Sequence, residues 1–200
     1  MIDNVKKFFI VAGVIVILAI AGVWWSESNK PQYDNPNRDI PYKGNADAQI
    51  VVEEFSDFQC PSCASAQPTV GKLLADYGDR IKLEYHHFPL TQIHARAMAA
   101  AEAAECALDQ GKFWEYHDVL FANQPNFSTG ELKQYAADLG LNEADFAACL
   151  GSGAKQDIIQ QDINEGVKRN LQGTPTFFIN GEEVDNWGAL DAEIKSRLGE

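Results

Sequence analysis

Cys60-Pro61-Ser62-Cys63 is the most informative segment of this 200-residue chain. The preceding residues are typical of a buried strand, and residues 64–77 are typical of a helix. This context predicts that Cys60 lies at or near a helix N-cap and that Pro61 takes the first helical position, where its fixed φ angle has no cost. Free N–H groups and the helix dipole then favour a thiolate on Cys60. The spacing therefore predicts a reversible disulfide at the start of a helix.

The alternative to a redox pair is half of a metal site, because two cysteines at this spacing also bind zinc. A four-ligand site needs two further Cys or His residues at a matching spacing. The chain contains no second C-x-x-C and no H-x-x-x-H. The redox interpretation is favoured, and neither a metal nor a cofactor is expected; a Cu(I)-binding or metallochaperone module remains the alternative from a different class.

Residues 1–25 are predicted to form an N-terminal membrane anchor. Residues 8–25 are uncharged and long enough to cross a bilayer as a helix. Lys6 and Lys7 precede this run, which predicts a cytoplasmic N-terminus and an extracytoplasmic catalytic domain. The alternative is a cleaved signal peptide with Ala19-Ile20-Ala21 as the cleavage site, which would release a secreted or periplasmic protein.

The rest of the chain is predicted to be a linker over 26–42 and one domain over 43–200. The linker is polar and contains three prolines and three asparagines, a composition typical of a tether. The formal net charge of −13 argues against nucleic acid as a partner and against docking on an anionic lipid surface. No dimerisation segment stands out, so a monomer is expected.

The order of predicted elements indicates an α/β protein. A strand over 50–55, the C-x-x-C helix and a strand over 81–88 are followed by a helical insertion at about 92–171. Ser128 and Glu131 have the spacing of a capping box within this insertion. Two short strands with Asn180-Gly181 between them predict a hairpin, and a last helix is predicted over 187–198. This order matches a thioredoxin-like fold with a helical insertion.

The chain resembles membrane-anchored DsbA-type thiol:disulfide oxidoreductases of the thioredoxin superfamily. The resemblance covers about residue 40 to the C-terminus. It is carried by three segments: Glu54-Phe55-Ser56-Asp57-Phe58-Gln59-Cys60-Pro61-Ser62-Cys63, Gly111-Lys112-Phe113-Trp114, and Gly173-Thr174-Pro175-Thr176-Phe177-Phe178-Ile179-Asn180-Gly181.

The resemblance implies a role for five residues. Cys60 would be the exposed nucleophile and Cys63 the buried resolving thiol. Pro175 would be a cis-proline that faces the disulfide, with Thr174 directly before it. Glu54 resembles the buried acid that moves a proton to or from the second cysteine through water. Strand alternation allows only one of Glu53 and Glu54 on that face, and the resemblance selects Glu54; the alternative is that both are solvated or paired. Asp57 and Gln59 are assigned to shaping the loop.

The same resemblance implies that the protein catalyses disulfide formation in reduced exported proteins. A quinone-linked membrane oxidase would re-oxidise it. This chain departs from many DsbA-type proteins at Ser62, where they often carry an aromatic residue or a histidine. Serine cannot supply a cation, so a less depressed Cys60 pKa and a milder oxidant are expected. A disulfide reductase or isomerase is therefore the alternative in the same class.

The other two cysteines, Cys106 and Cys149, are predicted to form a structural disulfide, because both lie in the helical insertion of a protein predicted to work in an oxidising compartment. Two buried free thiols are the alternative. The four histidines are interpreted as structural residues: His86, His87, His94 and His117. His86 and His87 are adjacent on a predicted strand and point to opposite faces, which excludes a metal site shared by the two.

Overall fold

The computed structural model describes residues 39–200. The predicted anchor over 1–25 and residues 26–38 of the predicted linker lie outside the described residues. The described elements are, in chain order, β1 Tyr42–Gly44, β2 Ile50–Ser56, α1 Pro61–Tyr77, β3 Ile81–His87, α2 Ala97–Leu108, α3 Phe113–Ala122, α4 Thr129–Asp138, α5 Glu143–Ser152, α6 Gln156–Lys168, β4 Thr176–Ile179, β5 Glu182–Val184, a 3₁₀ helix Trp187–Ala189 and α7 Leu190–Leu198.

The strands form one mixed sheet in the order β1-β3-β2-β4-β5. Strands β2 and β3 are parallel, with pairing from Ile50 opposite Ile81 to Ser56 opposite His87. The other three pairings are antiparallel. A parallel pair needs a crossover connection, and α1 supplies it. The C-terminal end of β2 therefore leads directly into the cysteine motif, as the sequence predicts.

Helices cover both faces of this sheet. Helices α1 and α7 bury one face, with a core that includes Val52, Leu73 and Ile194. A smaller core on the opposite face is built around Phe55 and Phe178. Helices α2 to α5 have their own core, which also takes in Phe58 and Tyr85 from the sheet side. The helical insertion is thereby joined to the loop that carries the first active-site cysteine.

Strand β1 was not predicted from the sequence, and its first residue, Tyr42, is the last residue of the predicted linker. The backbone carbonyl of Pro41 accepts a hydrogen bond of 2.9 Å from the N–H of Tyr85. The carbonyl of Tyr42 accepts one of 2.8 Å from the indole of Trp114. A three-residue edge strand has too few side chains to produce an alternating pattern, so only its tertiary partners define it.

Local signals in the sequence agree with several boundaries of the structure. The Ser128 hydroxyl accepts from the N–H of Glu131, whose carboxylate accepts from the N–H of Ser128, and this capping box begins α4. Asn180 and Gly181 both have positive φ angles, 52° and 82°, as a type I′ hairpin turn requires.

A disulfide joins Cys106 in α2 to Cys149 in α5, the pair that the sequence predicts, with a Cα–Cα distance of 5.8 Å. Within residues 39–200, no helix combines the length and the hydrophobicity that crossing a bilayer requires.

Candidate active site

The cysteine motif lies at the N-terminus of α1, where the sequence predicts it. Cys60 is the N-cap residue and Pro61 takes the first helical position. The backbone N–H of Cys60 donates to the carbonyl of Asp57 at 3.0 Å, which closes the short loop between β2 and the helix. The sulfur of Cys60 is thereby held beside the unpaired N–H groups of the first helical turn.

Both motif cysteines are reduced and buried, with 7% of Cys60 and none of Cys63 exposed. The expectation of an exposed Cys60 is therefore wrong. The thiol of Cys60 donates to the carbonyl of Thr174 at 3.4 Å. The side-chain amide of Gln124 donates to the carbonyl of Cys60 at 3.2 Å. Two segments distant in sequence thus contact Cys60, one at its sulfur and the other at its backbone carbonyl.

The environment of Cys60 strongly favours its thiolate. The pKa of this thiol is lowered to about 5, chiefly by the hydrogen bond from the Cys63 thiol. Burial opposes the shift, while the Thr174 side chain and the backbone N–H groups of Cys63 and Ser62 add to it. An ordinary cysteine has a pKa of about 8.5. Cys60 is therefore ionised at neutral pH.

Cys63 has the opposite character. Burial and the adjacent Cys60 thiolate raise the pKa of Cys63 far above its ordinary value. Its sulfur accepts a hydrogen bond of 3.4 Å from the N–H of Asp57. The pair therefore combines one stabilised thiolate with one protonated thiol. This asymmetry is what thiol–disulfide exchange requires, because the thiolate is the nucleophile and a low-pKa thiol is the better leaving group.

Thr174 faces the motif from the segment that precedes β4, and its peptide bond to Pro175 is cis. Contact with the motif is made by Thr174 through its carbonyl, 3.4 Å from the Cys60 sulfur. The structure thus brings Thr174, with Pro175 directly after it, to the Cys60–Cys63 motif, which lies more than one hundred positions earlier in the sequence.

Glu54 lies beneath the motif and is completely buried. Burial raises its pKa to about 7, although the Ser56 hydroxyl and the Gln67 side chain lower it in part. The amide of Gln67 donates to Glu54 Oε1 at 2.9 Å. The neighbouring Glu53 points to the opposite face and pairs with Arg169 at 2.9 Å. A carboxyl that titrates near neutrality at this position can both take up and release a proton.

The loop around Asp57 is more specifically built than the sequence indicates. One carboxylate oxygen of Asp57 accepts from the N–H of Gln59 at 2.7 Å. The other accepts from the N–H of Leu90 at 2.8 Å and contacts His94 Nδ1 at 2.7 Å. Assigning Asp57 and Gln59 to the loop agrees with these contacts. The partners on the β3–α2 connection and Gln124 were missed, since no sequence pattern relates residues so far apart.

His86 and His87 point to opposite faces of β3, as the sequence predicts. His87 Nε2 contacts Glu105 at 3.0 Å, and His86 Nδ1 contacts Asp162 at 2.8 Å. His86 also lies beside two carboxylates that could hold a metal ion with it, a cluster that the sequence did not reveal: Glu53 and Glu84.

Basic side chains pair with both of these carboxylates. The guanidinium of Arg169 contacts Glu53, and Lys82 contacts Glu84 at 2.7 Å. Cationic neighbours compete with a metal ion for the same oxygens. We therefore interpret the cluster as an ion-pair network that joins β2, β3 and the end of α6.

The family model described as thioredoxin matches residues 37–195. The chain belongs to the thioredoxin family. This match, the strand order and the position of the cysteine motif confirm the predicted thioredoxin-like fold.

Among curated proteins, Na(+)/H(+) antiporter NhaA 3 of Salinispora tropica is 41% identical to this chain over 165 residues. The match covers 81% of this chain and 25% of that protein. The chain spans about a quarter of the length of the curated relatives it matches. These relatives therefore contain a domain like this one within a much longer polypeptide.

Two solved structures are similar over most of their length. Oxidised BdbD from Bacillus subtilis has a TM-score of 0.70 and 26% identity, covering 80% of this chain and 91% of that one. The thiol-disulfide exchange protein α-DsbA2 from Wolbachia pipientis has a TM-score of 0.68 and 21% identity, covering 78% and 86%. The chain thus combines a thioredoxin-family fold with an asymmetric thiol pair, Cys60 and Cys63, of the kind that thiol–disulfide exchange requires.

Proposed function

We propose that this protein is an extracytoplasmic thiol:disulfide oxidoreductase that forms disulfides in reduced exported proteins. The observation that supports this most directly is the contrast between the motif thiols, with the pKa of Cys60 lowered to about 5. Reference thiols have pKa values of about 3.5 in the strong oxidant DsbA and about 7 in thioredoxin. A value between them favours net oxidation by a milder oxidant, as expected with serine at position 62.

The reaction exchanges one disulfide for another. The thiolate of a reduced substrate attacks the Cys60 sulfur of the oxidised enzyme, and the bond to Cys63 breaks. Cys63 leaves as a thiolate and takes a proton from Glu54, whose pKa of about 7 allows it to be protonated when the step begins. The second substrate thiolate then attacks the substrate sulfur and expels Cys60 as a thiolate. The substrate is oxidised by two electrons and the enzyme pair is reduced by two.

The proposal places the catalytic domain outside the cytoplasm on an N-terminal membrane anchor. Its support is the uncharged run over residues 8–25 with lysines before it. The curated relatives named as Na(+)/H(+) antiporters add support, because a domain joined to an ion antiporter is held at a membrane. In this setting a quinone-linked membrane oxidase would restore the Cys60–Cys63 disulfide after each turnover.

The proposal is tested by oxidative refolding of a reduced model protein. Cys60→Ala is expected to abolish the acceleration that the oxidised wild-type protein gives. The matched control is Cys106→Ala/Cys149→Ala, assayed below its melting temperature, which removes two cysteines away from the motif and should retain activity. Refolding at the wild-type rate by the Cys60→Ala variant would refute the proposal.

The redox potential of the Cys60–Cys63 pair distinguishes an oxidase from a reductase. We expect a value nearer the roughly −120 to −180 mV of oxidases and isomerases than thioredoxin's roughly −270 mV. A potential near that of thioredoxin would instead assign a reductase. Stoichiometric copper in the purified reduced protein, without exchange activity, would assign a metal-binding module.

A further inference from the structure

A small buried polar enclosure lies behind Cys63, between the sheet and α1. Glu54 and Ser56 alternate on β2, so both side chains face the same side of the sheet. Tyr85 is opposite Glu54 in the register of β3. All three residues have at most 1% of their surface exposed. Three oxygen-bearing side chains thus meet in a region from which bulk water is excluded.

The oxygens in this enclosure are unusual because they lack ordinary partners. Among the described residues, no group forms a hydrogen bond of normal geometry with Glu54 Oε2, Ser56 Oγ or the Tyr85 hydroxyl. Buried polar atoms are nearly always paired, since an unpaired one costs about 1–3 kcal/mol. The carboxyl and the two hydroxyls are therefore not committed to fixed partners, and hydroxyl groups can both accept and donate a proton.

The Ser56 hydroxyl is close to both groups that exchange a proton in the proposed reaction. Cys63 Sγ is fixed at the end of β2 by the N–H of Asp57, the residue that follows Ser56, at 3.4 Å. The Ser56 side chain lowers the pKa of Cys63, and it also lowers that of Glu54. One hydroxyl is therefore near the thiol at one end of the enclosure and near the carboxyl at the other, without a fixed hydrogen bond to either.

We propose that Ser56 relays the proton between Cys63 and Glu54. This inference rests on the proposed function and adds a residue to it. A hydroxyl is suited to the role because it accepts with its lone pairs and donates with a hydrogen that rotates about the C–O bond. The relay gives Cys63, which is completely buried, an exit for its proton without the entry of solvent.

The relay acts whenever Cys63 attacks or leaves. During re-oxidation by glutathione disulfide, the Cys60 thiolate attacks one glutathione sulfur and expels the other as a thiolate. Cys63 then passes its proton to Ser56 Oγ, whose own proton moves to the Glu54 carboxylate. The Cys63 thiolate attacks Cys60 Sγ and expels the second glutathione thiolate. The enzyme pair is oxidised by two electrons and glutathione disulfide is reduced to two thiolates.

Few other ionisable groups face the relay. Tyr85 from β3 remains protonated, because burial and the Glu54 charge raise its pKa well above its usual range. The β4 residue opposite Glu54 is Phe177, which is apolar.

Further groups flank the enclosure. His87 is opposite Ser56 in the register, and its Nε2 contacts Glu105. The side-chain amide of Gln67 in α1 donates to Glu54 Oε1. The Asp57 carboxylate lies in the loop that follows Ser56. Glu54 is thus the proton acceptor that changes its charge near neutral pH, and the relayed step should accelerate as pH rises through about 7.

The experiment uses the reduced full chain and glutathione disulfide in two kinetic phases. The first phase is formation of the Cys60–glutathione mixed disulfide, which does not involve the Cys63 proton. The second is release of glutathione when Cys63 attacks. Both are followed by acid quench and mass spectrometry between pH 5 and pH 9, a range chosen to bracket the Glu54 pKa of about 7.

Ser56→Ala is the test variant, Ser56→Thr restores the hydroxyl, and Tyr85→Phe is the matched control. Tyr85→Phe removes a different hydroxyl from the same enclosure and leaves the relay in place. We expect Ser56→Ala to slow the second phase at pH 7 by about 100-fold, the lower end of the range for positioned proton transfer. The first phase should be unchanged. In Ser56→Thr and Tyr85→Phe, the rate of glutathione release should be within about threefold of the wild-type rate, a much smaller change than the 100-fold loss in Ser56→Ala.

Each outcome decides the proposal. The relay is supported if Ser56→Ala slows only the second phase. The rate of that phase in the variant should then increase in proportion to hydroxide concentration, without the wild-type transition near pH 7. An unchanged second phase overturns it, as does equal slowing of both phases or an equal loss in Tyr85→Phe. A wild-type protein that forms no mixed disulfide at Cys60 overturns the proposed function and the relay with it. If the wild-type protein releases glutathione normally and Ser56→Ala has the same pH dependence of release, the relay is overturned and the proposed function is retained.

Discussion

The Cys60–Cys63 pair and the Cys106–Cys149 pair lie in parts of the molecule that are built differently. The first pair is two residues apart on one helix and faces a loop more than one hundred positions away. The second joins α2 to α5 across a sequence separation of 43. Both pairs are composed of the same side chain in the same protein.

Their surroundings differ in the donors they present to sulfur. Cys60 has the helix N-terminus, a neighbouring thiol and Thr174 around it, all of which stabilise a thiolate. Cys106 instead packs in the core of the helical insertion, where it is 1% exposed. Charge-stabilising neighbours make a disulfide reducible, whereas an apolar helix–helix junction keeps it as a crosslink. Four experiments can break or sharpen this contrast.

Alkylation of reduced Cys60 should show the largest effect. The rate of iodoacetamide labelling is expected to rise with a midpoint near pH 5, because the pKa of Cys60 is about 5. Cys63→Ala should move the midpoint upward, since the Cys63 thiol makes the largest contribution to the shift. Mass spectrometry after labelling between pH 3 and pH 9 gives both values. A wild-type midpoint near the ordinary value of about 8.5 would contradict the description of the site.

Removing the second pair should affect stability and leave the chemistry intact. Cys106→Ala/Cys149→Ala is expected to lower the free energy of unfolding by about 4 kcal/mol, the value for a loop of this length in the chain-entropy model. Urea denaturation measures the loss. The alkylation midpoint of Cys60 serves as the internal control and should stay near pH 5. A changed midpoint would show that the two regions are coupled.

Glu54 provides a smaller and pH-dependent effect. Its pKa is about 7 in the folded protein and 4.5 ordinarily, so the folded state binds the extra proton. Stability is unaffected below about pH 4.5 and falls as pH rises to about 7, by about 3 kcal/mol in total. The stability of Glu54→Gln relative to wild type should therefore increase by that amount between pH 4 and pH 8.

Urea denaturation at the two pH values measures the difference. The control is Glu53→Gln, which removes a carboxylate on the opposite face that contacts Arg169. This variant should lose stability at pH 8 instead of gaining it. A constant difference between Glu54→Gln and wild type at both pH values would show that the buried carboxyl does not carry the proton.

The smallest effect is expected at the start of α4, in the helical insertion. Ser128→Ala removes one half of the capping box and should cost about 1 kcal/mol of stability. Ser128→Thr keeps the hydroxyl and should lose only a few tenths of that amount. Thermal or urea denaturation measures both. A change in glutathione-disulfide reactivity in either variant would contradict the independence of the two regions.

Prediction from sequence worked best where the determining contacts are local. The N-cap position of Cys60, the first-turn position of Pro61 and the capping box at Ser128 each depend on residues within one helical turn. Strand alternation allowed only one of Glu53 and Glu54 beneath the motif, the family resemblance selected Glu54, and the structure buries that residue.

Prediction was poorest where the contacts are distant. Strand β1 exists because Pro41 and Tyr42 pair with Tyr85 and Trp114, residues that no local pattern connects with them. Thr174 and Gln124 contact Cys60 from segments that the sequence does not place beside it, and the residue was therefore expected to be more exposed than it is.

By itself, the sequence determined the reactive pair, its place at the start of a helix and the order of the strands and helices around it. These features follow from the short-range preferences of proline, capping residues and alternating side chains. Only the tertiary structure decided how acidic Cys60 is, how completely Cys63 is enclosed and which hydroxyls meet Glu54 behind it. Burial and hydrogen-bond partners set those properties, and both arise when segments separated by as many as 114 residues pack against one another.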